Sequence, residues 1–290
     1  MLLTSILLGL AICAVWLPDL PLRRGRIPPW TVLLAAATAA GLASGVLDWR
    51  GAAVVMALCG LAFASVRLRD TTLRRVLTAA VVLLAFALGL NRVPGFQPSV
   101  FLQDLQVSPD APPMRLTAHF APGLAAIVLL AFYARRARSL GELAAAGRNT
   151  LAIAAATTLV VVGTAWAIGY VRPDPKLPGF TVAHLAKILL WTTVLEEAFF
   201  RAVLQGGLAQ LRFVRDRPRL AWLPIAVASV LFGLAHVGGG WPYVGLATLA
   251  GVGYGLAYAR TGLIESAMLA HFAVNATHFL AFTYPHITRP

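Results

Sequence analysis

The chain has 290 residues, of which 59% are hydrophobic and only 12% charged, and it carries a formal net charge of +13. Soluble globular domains hold about 25% charged residues, so this composition excludes a soluble domain. In a polar chain such a charge suggests nucleic acid, but here the basic residues sit in short gaps between long apolar runs, and no nucleic-acid partner is expected.

A membrane-spanning helix needs about 20 mostly apolar residues. Candidate runs lie at 2–17, 28–47, 51–66, 76–90, 119–134, 150–171, 181–210, 221–240, 243–259 and 263–283. They predict an all-α fold, a polytopic integral membrane helix bundle of about ten spans, or about eight to ten because 51–66 and 76–90 are short for a full crossing. The first run has no basic residue before it and Arg23, Arg24 and Arg26 after it, the pattern of a retained anchor with its N-terminus outside. If the runs alternate from there, sixteen basic residues fall on one side and six (Arg50, Arg92, Arg115, Arg172, Lys176 and Arg289) on the other. That is the positive-inside bias, and it accounts for most of the net charge. Six of the seven tryptophans fall near proposed ends as interfacial anchors, with Trp191 well inside a span. Cys13 and Cys59 each stand alone in an apolar run and read as small core residues. The longest polar stretch, 91–118, is expected as an ordered or partly re-entrant outer loop, with no role assigned. The chain reads as two parts: 1–149, whose spans hold almost no ionisable groups, and 150–290, where such groups lie inside the membrane and where function is expected.

An ionisable side chain at the centre of a membrane helix costs about 2.5–3.5 kcal/mol, so each one is a functional hypothesis. Run 181–210 holds Glu196, Glu197 and Arg201. Glu197 and Arg201 are four apart, with the carboxylate N-terminal, the better orientation for an ion pair. Thr193 and Gln205 extend the same face, while Glu196 lies about 100° round the helix. One carboxylate is thus held and the other left available. An ion pair that joins two helices explains Glu197 and Arg201 but not Glu196, whose added charge calls for a partner from another helix. Two later runs supply candidates: Phe232 and His236, four apart in 221–240, and His271 and Asn275, four apart in 263–283, with His278 three further on. A lone histidine on an apolar helix is an ordinary packing residue, but three polar motifs in three of the last four runs argue for a site. At about 1.5 Å per residue, antiparallel neighbours bring the three motifs to a similar depth. The run between them carries Ala247, Gly251, Gly255 and Ala259, a small-residue stripe for close helix packing. Lys187 reads as a snorkelling residue and Glu265 as a first-turn residue favoured by the helix dipole.

A carboxylate, two imidazoles and an amide in an apolar bundle resemble the parts of a peptide hydrolase, in which water needs a base and the oxyanion needs donors. The motifs Glu196-Glu197-x-x-x-Arg201, Phe232-x-x-x-His236 and His271-x-x-x-Asn275 resemble those of the CPBP intramembrane peptidases, the family of the CAAX prenyl endopeptidase and of the bacterial Abi or bacteriocin-processing proteins. The resemblance covers 181–283. It implies that Glu196, with His236, activates the attacking water, that His271 and Asn275 bind the oxyanion, and that Glu197 and Arg201, with Phe232 and Thr193, organise the site. No cofactor is required on the preferred reading. Zinc held by Glu196, His236 and His271 is the alternative, which three ligands and an open position would permit, although the His-Glu-x-x-His helix of ordinary zinc proteases is missing. The expected substrate is a membrane-associated peptide or protein tail at the lipid bilayer, and the expected location the bacterial inner membrane. A proton- or ion-coupled transporter, since intramembrane Glu and His also mark ion pathways, and a non-catalytic bacteriocin-immunity protein are the competing readings.

Overall fold

The apolar runs become helices whose starts are set by local polar residues. The computed structural model describes residues 1–22 and 25–288, and Arg23, Arg24 and Arg289 of the charge tally lie outside the described residues. The helices α1 (Leu2–Cys13), α2 (Pro29–Ala43), α3 (Trp49–Arg67), α4 (Thr71–Gly89), α5 (Phe120–Tyr133) and α6 (Leu140–Ala167) follow the first six runs. Asp48 caps α3 by accepting from the backbone of Arg50 and Gly51 at 2.8 and 3.1 Å, and Asp70 caps α4 by accepting from Leu73 at 2.7 Å. Both helices reach 19 residues, so the runs that looked short gain their length from polar first turns. Ser139 caps α6 through the Glu142 amide, and Glu142 reaches back to the Arg138 amide, which starts that helix ten residues before the apolar run.

Then come α7 (Thr181–Lys187), α8 (Val194–Glu197), α9 (Gly206–Ala209), α10 (Arg212–Arg215), α11 (Leu223–Ala235), α12 (Trp241–Thr261) and α13 (Ile264–Ala281). Short strands β1 (Leu20–Leu22) and β2 (Gly25–Ile27) pair antiparallel, and β3 (Ser99–Leu105) pairs with β4 (Met114–Ala118). The fold is all-α. Among the described residues, four helical stretches are long and apolar enough to cross a membrane by length and composition: Trp49–Arg67, Thr71–Gly89, Leu140–Ala167 and Pro218–Ala235. Leu2–Trp16, Pro29–Ala43 and Phe120–Tyr133 are apolar but shorter. The expected ten spans therefore exceed this count. In α12 and α13, packing glycines and polar residues stand where a fully apolar helix would carry large hydrophobic ones.

The chain divides into two compact units. The first holds 1–101, 116–134 and 190–199. Its core is α5, in which every residue from Phe120 to Leu130 is buried; a helix apolar on all sides has to be enclosed. Trp191, the tryptophan without an interfacial explanation, belongs here: its indole donates to the His119 carbonyl at 3.2 Å, and Gly9 and Gly123 leave it room. Gly95, at φ +96°, carries the loop after α4 across Gly51, with 2.3 Å from its carbonyl to where a Gly51 Cβ would stand.

The second unit holds 102–115, 135–189 and 200–290. Its helices pack through small residues, as expected where lipid removes the hydrophobic drive for association. A Cβ on Gly251 would stand 3.1 Å from the Ser229 backbone, and one on Gly253 would stand 2.1 Å from the Thr157 hydroxyl, so α12 lies against α11 and α6. The stripe does not extend to Ala259, which is exposed. Glu265 is more than a first-turn residue: it is 9% exposed and accepts from the Ala137 amide at 2.9 Å, tying the α5–α6 loop to α13.

The stretch 91–118 closes into the β3–β4 hairpin, and its tip is bolted to the end of the chain. The Ser108 hydroxyl donates to Asp174, and the Tyr284 amide donates to Ser108 Oγ at 3.0 Å. Arg172 pairs with Asp110, whose carbonyl accepts from the Thr288 amide at 2.8 Å. The Ser108 hydroxyl, followed by Lys176, holds the Asp174 carboxyl below its ordinary value of 3.8. A depressed carboxylate adds stability above its unfolded pKa and loses it as the pH falls through the folded one. The wild type is therefore expected to melt above Asp174→Asn at neutral pH, with the gap closing as the pH falls below 3.8. A melting gap that does not change with pH would contradict this.

Candidate functional site

Residues 181–209 form one helical run whose turns widen twice. The stretches Ile188–Thr193 and Ala198–Gln205 are π-helical and enclose α8, which carries Glu196 and Glu197 at its end. A π turn bonds i to i+5, is rare, and is frequent at functional sites. Nothing in the residue pattern announces it.

The polar stripe is buried. Thr193, Glu197 and Arg201 are each 0% exposed and Gln205 is 3% exposed, whereas Glu196 is half-buried. Thr193, Glu196 and Glu197 belong to the first unit; Arg201, Gln205, Phe232, His236, His271 and Asn275 belong to the second.

Within the second unit the residues assemble around Phe232, which is 2% exposed. The Arg201 guanidinium lies 5.5 Å from the Phe232 centroid, a cation–π contact inside a dry environment. Arg201 Nη1 donates to Gln205 Oε1 at 3.4 Å, and Gln205 Nε2 donates to the Gly255 carbonyl at 2.9 Å. That relay is possible because position 255 is a glycine: a Cβ there would stand 2.9 Å from Gln205 Oε1 and from Ile225, and 3.4 Å from Arg201 Nη1. Gly255→Ala is expected to destabilise the protein by about 1–3 kcal/mol through overpacking, measured as unfolding in mixed detergent micelles. An unchanged unfolding curve would show that the relay is not tightly packed.

His236 stands at the end of a helix, not within one. The sequence suggests a span to 240, but α11 stops at Ala235, and Gly238, Gly239 and Gly240 follow, the last at φ +86°. The final carbonyls of a helix lack backbone partners, and here the imidazole supplies one: His236 Nδ1 lies 2.7 Å from the Phe232 carbonyl. A carbonyl only accepts, so Nδ1 carries the hydrogen and a neutral His236 presents its lone pair at Nε2. The ring also sits 4.6 Å from Phe232 and 5.4 Å from Tyr243.

His271, 2% exposed, comes from α13 and meets the edge of Phe232 at 5.8 Å and 90°. Asn275 lies one turn further along and is half-buried. His278 does not join the group. Its Nε2 donates to the Thr283 carbonyl at 3.1 Å, and its ring faces Tyr284, so it belongs to the chain terminus. The sequence reading missed Phe200, whose ring meets Phe232 at 5.1 Å, Tyr243 and Tyr254. Tyr254 had one signal, being a large residue between two glycines of the small-residue helix.

Among the described residues, no group of three His, Cys, Asp or Glu side chains is gathered as a metal ion requires. Within the second unit the arrangement brings the imidazoles of His236 and His271 against one buried aromatic ring.

Comparison with known proteins bears on the same region. Residues 178–277 match the family described as Type II CAAX prenyl endopeptidase Rce1-like. No curated protein and no solved structure matches the chain.

Proposed function

We propose that the protein is an intramembrane endopeptidase of the CPBP family, a reading supported by the match of residues 178–277 to the Type II CAAX prenyl endopeptidase Rce1-like family. Its substrate is the peptide bond of a membrane-associated peptide or protein tail. Glu196 and His236 take a proton from water, whose oxygen attacks the scissile carbonyl carbon. The oxyanion of the tetrahedral intermediate is held by N–H groups of His271 and Asn275. As the C–N bond breaks, the proton passes to the leaving amine, giving a free carboxylate and a new N-terminus. Glu197 and Arg201 hold the helix and its charges in place, with Thr193 on the same face.

The observation that carries this reading is the Phe232 shell: two imidazoles from two helices, one with its proton fixed on Nδ1, stand in apolar surroundings next to a buried guanidinium. A packing role for either histidine alone requires no such convergence. The metal-free form of the mechanism is preferred, and zinc remains the second form of the same chemistry. The inner membrane of a bacterium, with the N-terminus outside, is the location that the charge distribution supports.

The full chain, purified in detergent micelles, is to be incubated with peptides anchored by an apolar or lipidated segment. Cleavage is expected, undiminished by a strong chelator. No cleavage of any anchored peptide would overturn the assignment, and loss of activity on chelation with recovery on zinc would replace the metal-free form.

A further inference from the structure

One buried ring of the Phe232 shell has no role in the steps above. Tyr254 is 2% exposed, and its ring lies parallel to the His271 imidazole, with centroids 4.5 Å and planes 11° apart. Phe232 closes the arrangement by meeting Tyr254 at 5.9 Å and 80° as well as His271 at 5.8 Å and 90°. Three ring planes therefore interlock.

The geometry has a specific consequence for His271. An α-helix fixes the Cβ of a histidine, but the rotation of the ring about its second side-chain torsion is broad. A helix position therefore does not decide where the ring N–H points. A flat face on one side and an aromatic edge on another do decide it. The backbone of Tyr254 is itself held from both flanks. At Gly253 a Cβ would meet Thr157, and at Gly255 one would meet Gln205 and Ile225, so α12 has no room to move there.

We propose that Tyr254 is a positioning residue that sets the plane of the His271 imidazole and so aims its N–H. The inference rests on the endopeptidase reading for its kinetic consequence. An N–H directed at an oxyanion acts only when that charge has formed, so misdirecting it lowers kcat and leaves KM nearly unchanged.

The test uses the full chain in detergent with three variants: Tyr254→Phe, which keeps the ring, and Tyr254→Leu and Tyr254→Met, which remove it. The ring-deleted variant that retains wild-type thermal stability is the one read. It is expected to lose about 10- to 100-fold in kcat with KM within about twofold, and Tyr254→Phe is expected to stay within about threefold of wild type. Carbethoxylation of His271 by diethylpyrocarbonate, followed by mass spectrometry, supplies a second readout that needs no activity. It is expected to be severalfold faster in the ring-deleted variant and unchanged in Tyr254→Phe. Wild-type kcat in the ring-deleted variant, equal losses in Tyr254→Phe and Tyr254→Leu, or unchanged His271 labelling would each overturn the proposal. If wild-type protein cleaves nothing, the endopeptidase reading falls, and the labelling result still decides whether Tyr254 holds the ring.

Discussion

Replacing Glu196 with glutamine is expected to lower kcat by about 10²- to 10⁴-fold, the range of a lost general base, without preventing membrane insertion or folding. Glutamine keeps the volume and shape of the side chain while it removes the negative charge, turns one acceptor oxygen into a donor and ends the ability to take a proton. Glu196 is half-buried where its neighbour Glu197 is wholly buried, so neutralising it removes a charge that burial penalises and leaves the buried stripe intact. Stability is therefore expected to hold or rise slightly. His236→Ala is expected to cause a loss of similar size. The double variant should be little worse than either single one, because groups that act on the same proton do not contribute independently. Turnover of an anchored peptide by wild type and the three variants, each checked for its thermal transition, gives the answer. A Glu196→Gln protein that cleaves at the wild-type rate would remove the carboxylate from the chemistry.

The second large effect is on stability. Arg201→Ala is expected to destabilise the protein by about 3–5 kcal/mol, as measured when one member of a buried charged set is deleted. Arg201 is 0% exposed, its guanidinium lies over Phe232, and it starts the relay through Gln205 to the Gly255 carbonyl. Its removal opens a cavity and ends the relay. Arg201→Lys keeps the charge but lacks the planar group that stacks on a ring and bonds in two directions, so an intermediate loss is expected. Unfolding in mixed detergent micelles measures both. An Arg201→Ala protein within about 1 kcal/mol of wild type would place this arginine among the weak pairs typical of exposed surfaces.

These expectations draw unequally on sequence and structure. The burial of Thr193, Glu197, Arg201 and Gln205 follows the four-residue spacing, because one helical face is a local property of the chain. The close approach at Gly251 and Gly255 was likewise legible, since a residue without a side chain has one obvious use between membrane helices. The hairpin tip at Ser108 and Asp110 was not, because its partners, Asp174, Arg172 and the tail at 284–288, lie 62 or more positions away. His236 was located correctly in the chain but misplaced in its element: the end of α11 depends on a side chain capping its own helix, which periodicity does not report.

By itself the sequence determined that this is a membrane protein and that its unexplained charges are Glu196, Glu197 and Arg201. Those conclusions need only composition, spacing and the cost of a charge in lipid, all of which act along the chain. The tertiary structure alone decided the π turns on both sides of α8, the nitrogen on which His236 carries its hydrogen, and the stack of Tyr254 on His271. The stack depends on which atoms of two helices meet and at what angle, while the widened turns and the ring contact of His236 with its own helix end are local geometry that leaves no periodic mark on the order of residues.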